Sequence, residues 1–213
     1  MKKKLIFAVT LILFAFQGII AQNNAQAEKA LTDLLSQART SAIKTNFNLT
    51  VRDKKDPQPM VSSGTFTLKG NKFVLEMEAM KAWFDGKTQW AYVHQNNEVS
   101  ITEPTVKELS ETNPMAILSG FKAKCVIRFS TKVKSAQNYC IEMIPKAKNN
   151  DITKIDVQIN KNNGNLFSIK LTNKNGGVSI LTLSNFQKGI NVPDNIFVFN
   201  PSRYKGVSVN DLR

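Results

Sequence analysis

From residue 46 onward, apolar and polar side chains change places at every second position. Phe47, Leu49 and Val51 alternate with Asn46, Asn48 and Thr50, and Phe66 and Leu68 alternate with Thr65, Thr67 and Lys69. Phe73, Leu75 and Met77 alternate with Lys72, Val74, Glu76 and Glu78. A period of two predicts strands with one buried and one wet face. The pattern continues through residues 88–94, 98–102, 125–131, 139–144, 153–160, 166–172 and 178–185, with a weaker strand at 197–199. Turn chemistry separates the runs: LysGlyAsn at 69–71, AspGlyLys at 85–87, GlnAsnAsn at 95–97, AsnAsnGlyAsn at 162–165 and AsnGlyGly at 175–177.

Residues 25–44 follow a different period. Ala27, Leu31, Leu34, Leu35, Ala38 and Ala42 recur at spacings of three and four, which predicts an amphipathic helix. A second, short helix is expected where Asn113 offers a cap, Pro114 a first-turn proline and Gly120 a stop after MetAlaIleLeu.

One helix followed by an antiparallel meander of about ten strands makes a sheet too large to stay flat. The expected fold is mainly β with a helical lid (α+β): an unclosed antiparallel barrel, or half-barrel, covered by the N-terminal helix and the short internal one. Such a curl encloses more room than an eight-stranded barrel, whose own side chains fill it. Two helices, one of them alanine-rich on its apolar side, look insufficient to fill the space. The residues expected to line a cavity are Leu31, Leu34, Leu35, Phe47, Leu49, Phe66, Leu68, Phe73, Leu75, Met77, Trp90, Tyr92, Met115, Ile117 and Leu118. Alternation does not by itself separate a hollow interior from a filled one.

The N-terminus changes the setting. Lys2, Lys3 and Lys4 precede an apolar run that ends at Ala21 before polar residues, the pattern of a cleaved signal peptide over residues 1–21. An uncleaved anchor is the alternative, since residues 5–21 sit near the short limit for a membrane span. Residues 22–213 are then a single exported domain. The formal net charge of the whole chain is +13, and removing residues 1–21 takes away three lysines and no acid. The excess favours anionic surfaces. The lysines are scattered and form no stripe, so nucleic acid is not an expected partner. Export makes a disulfide between Cys125 and Cys140 chemically possible, but strand parity points the two side chains to opposite faces.

Catalytic patterns are missing. His94 stands alone, no GxSxG, HExxH or CxxC occurs, and GlyLysThr at 86–88 lacks the upstream glycine of a phosphate-binding loop because position 81 is Lys81. No enzyme, metal or cofactor is expected.

Residues 64–102, GTFTLKGNKFVLEMEAMKAWFDGKTQWAYVHQNNEVSIT, resemble the periplasmic outer-membrane lipoprotein carrier family, in which a strand pair is followed by a DGK turn and an aromatic strand. The similarity runs on through ThrAsnProMetAlaIleLeu (112–118), IleGluMetIleProLys (141–146), PheValPheAsnPro (197–201) and GlyValSerValAsnAspLeuArg (206–213). The resemblance implies a monomeric, LolA-like periplasmic chaperone of the Gram-negative envelope whose hydrophobic cavity takes up acyl chains of lipoproteins. It also implies partners: an inner-membrane ABC exporter and an outer-membrane acceptor or membrane surface. The family's lid-latching arginine falls on Gly70, so Lys69 or Lys72 would have to take its place. Two other readings stay open: a lipoprotein sensor on the same fold, and a structural envelope protein with a solid core.

Overall fold

The computed structural model describes residues 24–213 except 57, 106–107 and 110–112. The expected signal peptide lies outside the described residues. Residues 24–40 form helix α1. Twelve strands follow: β1 (Ile43–Arg52), β2 (Met60–Lys69), β3 (Lys72–Met77), β4 (Met80–Phe84), β5 (Gln89–Val93), β6 (Glu98–Thr102), β7 (Cys125–Phe129), β8 (Asn138–Pro145), β9 (Ile152–Asn160), β10 (Leu166–Asn173), β11 (Val178–Lys188) and β12 (Ser208–Asp211). Helix α2 (Pro114–Lys122) lies between β6 and β7.

All twelve strands belong to one sheet in the order β12-β6-β5-β4-β3-β2-β1-β11-β10-β9-β8-β7. Its edges, β12 and β7, do not pair with each other, so the curved sheet stays unclosed as expected. The order is not one meander. Two meanders, β1–β6 and β7–β11, are joined through the antiparallel pair β1–β11, in which Phe47 faces Leu183 and Leu49 faces Leu181. β12 runs parallel to β6 and covers that edge.

Four expectations are corrected. The segment Met80–Phe84 is a strand that alternation missed, because Ala82, Trp83 and Phe84 are buried in succession on both faces and Lys81 is its one polar position. Residues 197–199 are not a strand: a 3-10 turn spans Asp194–Phe197, and Phe197 is fully buried by docking on the sheet without joining its ladder. Gly120 does not end α2: it lacks the positive φ of a terminating glycine, and the helix continues to Lys122 before a cap at Ala123. The predicted cap does form, Asn113 Oδ1 accepting hydrogen bonds from the backbone N–H groups of Met115 (3.0 Å) and Ala116 (3.4 Å). The N-terminal helix ends at residue 40, not 44, since Ile43 and Lys44 already pair with β11.

Two cores occupy the two faces of the sheet. The inner one gathers the α1 stripe Ala27, Leu31, Leu34, Leu35 and Ala38 with Leu118 of α2 and the inward residues of β1–β3 and β7–β11. The outer one is made by the C-terminal segment: Val192, Phe197 and Phe199 pack on Val74, Trp83, Tyr92 and Val99. Cys125 belongs to the inner core and Cys140 points to the opposite face; both are free, buried thiols.

Candidate functional site

The inner face is filled over part of its area and hollow over the rest. Beneath α1, Leu31, Leu34 and Leu35 are packed into the core together with Leu68, Phe73, Met115 and Leu118. Phe73 is sandwiched between Phe66 (ring centroids 5.7 Å apart) and Phe84 (5.4 Å). α1 is therefore a plug over this region, driven there by its stripe of spacing three and four.

Beside the plug lies a cavity of about 440 Å³, within the usual size range of ligand sites, roughly 300–1,000 Å³. Six of the expected residues line it: Phe47, Leu49, Phe66, Leu75, Met77 and Ile117. The register explains the grouping. Leu49 pairs with Leu181 and Val51 with Ser179 across β1–β11, and Leu75 pairs with Ala82 across β3–β4, so alternate residues of neighbouring strands meet on one face. The remaining wall comes from Val51, Met80, Ala82, Gln89, Pro114, Ile169, Leu171, Ser179, Leu181 and Leu183. Gln89 and Ser179 are the only polar side chains in this lining, and no charged one enters it.

Gly64 belongs to the same face. It stands between Phe47 of β1 and Met77 of β3, and a Cβ there would run into the Glu76 backbone carbonyl and the Phe47 ring.

Trp90 and Tyr92 lie on the opposite face. In β5 the inward positions are Gln89, Ala91 and Val93, and the aromatic positions point outward to the C-terminal segment. Tyr204 packs at a tilt against Tyr92 (ring centroids 4.5 Å apart) and edge-on to Trp83 (5.8 Å), and the Tyr92 hydroxyl donates to Asn97 Oδ1 (2.9 Å). Asn97 Nδ2 in turn donates to the carbonyls of Lys205 (3.2 Å) and Gly206 (3.0 Å), tying this segment to the β5–β6 turn. The outer face also carries a smaller cleft of about 340 Å³, but charged and polar groups line it, among them Lys44, Arg203 and the Glu76–Lys81 ion pair.

Lys69 and Lys72 do not latch α1. Both reach the outer face, where Lys69 Nζ donates to Asp194 Oδ1 (2.7 Å) and the Val192 carbonyl (2.9 Å), and Lys72 Nζ to Asp194 Oδ2 (2.8 Å). Hydrogen bonds from the two lysines hold the Asp194 carboxyl down to about 2. The two helices are linked instead by Arg39, whose guanidinium donates to Ser119 Oγ at 3.2 Å.

The cavity opens at one end. Along β1 the inward residues Ile43, Thr45 and Phe47 are buried, whereas Leu49 and Val51 are half-exposed. β3 passes from buried Phe73 to half-exposed Leu75 and Met77, and β11 from buried Leu183 to half-exposed Leu181 and Ser179. The antiparallel register brings the exposed ends of all three strands to the same side.

The sequence patterning that found six residues of this wall had no means of finding the rest. Ile169, Leu171, Leu181 and Leu183 carry the same period-two signal as Phe47 and Leu49, but only the long-range β1–β11 pairing places them across the cavity.

Residues 18–176 match the family model described as "Outer membrane lipoprotein carrier protein LolA". An outer-membrane lipoprotein carrier protein of Shewanella sp. (strain MR-4) is 29% identical over 99% of this chain and 98% of its own length. One from Shewanella halifaxensis is 26% identical over 84% of this chain and 82% of its own. Among solved structures, an uncharacterized conserved protein from Thermus thermophilus shares the fold, with a TM-score of 0.57 at 11% identity over 86% of this chain and 98% of that one. The family match spans most of the chain and includes the plug helix and most of the cavity wall; the chain belongs to the outer-membrane lipoprotein carrier family.

Proposed function

We propose that this protein is a periplasmic carrier that takes the acyl chains of lipoproteins into the inner-face cavity and moves them from the inner to the outer membrane. The observation that carries this reading is the cavity itself: an uncharged, almost wholly apolar hollow, open at one end, in a chain of the lipoprotein carrier family. Its volume counts against the structural-protein reading, which requires a solid interior. An inner-membrane ABC exporter as donor and an outer-membrane acceptor fit the energetics. Burying a chain of about 14 carbons at roughly 0.8 kcal/mol per methylene is worth on the order of 10 kcal/mol, so cargo leaves for another apolar site and not for water.

The test has two arms. Purified protein should take up a fluorescent fatty acid and show bound lipid in native mass spectrometry; absence of both signals would sink the cavity assignment. Depletion in cells should strand lipoproteins in the inner membrane, and unchanged sorting would leave a binder without a transport role.

A further inference from the structure

We propose that the open end of the cavity docks directly on an anionic lipid bilayer, with a rim of cations and protruding apolar side chains as the contact surface. The inference rests on the carrier reading for its purpose but on separate residues for its chemistry. Beyond the half-exposed ends of β1, β3 and β11 lie the β1–β2 loop and the β10–β11 turn. These touch: a Cβ on Gly176 would meet the Lys54 side chain at 2.9 Å, and one on Gly177 the Arg52 carbonyl at 3.5 Å.

Arg52, Lys54, Lys55 and Lys174 therefore sit together at the mouth, and none of them forms an ion pair among the described residues. Asp53, Asp56 and Glu78 share this end, but Asp53 and Asp56 each commit one carboxylate oxygen to a backbone N–H of their own loop, at 2.9 Å. On the cavity's helical side, α2 delivers Lys122 and then Lys124 to the same end, and the β8–β9 loop adds lysines at 146 and 148 against one aspartate at 151. Cations thus outnumber carboxylates around the opening.

The apolar part is as specific. Met60 and Val61, where β2 begins, are 68% and 57% exposed, among the most exposed large apolar side chains described. Met60 pairs with Val51, a cavity-lining residue, but does not itself line the hollow: it stands beside the mouth on that face, and Val61, paired with Thr50, stands on the other. Cations that attract lipid phosphates, interleaved with side chains able to enter the headgroup layer, are the composition of a peripheral membrane contact. An acidic protein would satisfy the cations but leave Met60 and Val61 without that role.

Co-sedimentation with vesicles decides it. Wild-type protein should bind phosphatidylcholine vesicles in which about a third of the lipid is phosphatidylglycerol, bind pure phosphatidylcholine poorly, and come off as NaCl rises to about 0.5 M. A Lys54→Gln/Lys55→Gln/Lys174→Gln variant, and separately Met60→Ser, should partition at least tenfold less while taking up a fluorescent fatty acid as the wild type does. Normal uptake of that probe without binding to the anionic vesicles overturns the docking proposal and leaves the carrier reading standing. Equal binding by wild type and variants places the contact elsewhere and overturns it too. Binding to poly-glutamate but not to vesicles assigns the rim to an acidic protein and likewise overturns bilayer docking. No uptake of the probe by any form is a failure of the carrier reading, and vesicle binding lost in the variants would still uphold the contact.

Discussion

Leu49 of β1 and Leu181 of β11 are register partners that face each other across the seam between the two meanders, and both border empty space. A larger side chain at either position has somewhere to go, which is unusual for a sheet interior. Leu181→Trp should fold with a melting temperature within a few degrees of wild type, since overpacking strain of about 1–3 kcal/mol arises only where a core is already full. The same variant should lose at least tenfold in affinity for a fluorescent fatty acid. A severe loss of stability in urea denaturation would show that the hollow is closed in solution.

Leu118 offers the opposite case, being fully buried beneath the plug helix. Leu118→Ala should cost about 2–5 kcal/mol in urea denaturation, because deletion in a filled core leaves a void. Together the two leucines separate the solid half of the inner face from the hollow half by experiment.

Gly64→Ala should destabilise by about 1–3 kcal/mol, because its methyl group would collide with the Glu76 carbonyl across the β2–β3 pair and only a backbone shift relieves that. The shift falls on β3, which carries Leu75 and Met77. Acyl-probe uptake should therefore fall along with thermal stability.

Asp194 gives a pH dependence with a definite sign. Its carboxyl is held at about 2, below its ordinary value of 3.8, first by hydrogen bonds from Lys69 and Lys72. A depressed folded value means that the tie's stabilisation is complete above the ordinary value and disappears as pH falls through the folded one. Tryptophan emission, dominated by Trp83 and Trp90 under the C-terminal segment, should shift to the red between about pH 4 and pH 2. Asp194→Asn should show that shift already at neutral pH. Because the pair is exposed, added salt should weaken the tie as well.

Cys125 and Cys140 should remain unpaired under oxidising conditions, as their positions on opposite faces require. Burial pushes the Cys125 thiol up despite the opposing influence of Lys146, and burial does the same to Cys140. Both should react slowly with a thiol reagent at pH 8 until denaturant is added.

Much of this architecture was legible in the chain because each signal was local. The α1 stripe, the Asn113 cap and the alternation of Phe47 or Leu75 all report on neighbours a few residues away. Trp90 and Tyr92 misled because apolar positions occur on both sides of β5: its aromatic positions face the C-terminal segment, and its cavity side carries Gln89, Ala91 and Val93. Period two fixes which residues share a face, but not which face is inside when both are dry. The Lys69–Asp194 tie and the β1–β11 pair join residues far apart in sequence, and no local pattern announces either of them.

The β1–β11 seam bears on how the protein can be cut for laboratory work. The family match stops at residue 176, inside the turn that precedes β11. A fragment trimmed there would keep the plug helix yet forfeit Leu181 and Leu183 from the cavity wall, and would bare Trp83, Tyr92 and Val99 on the reverse side. Such a truncation is a recipe for inclusion bodies, and expression should run through to Arg213.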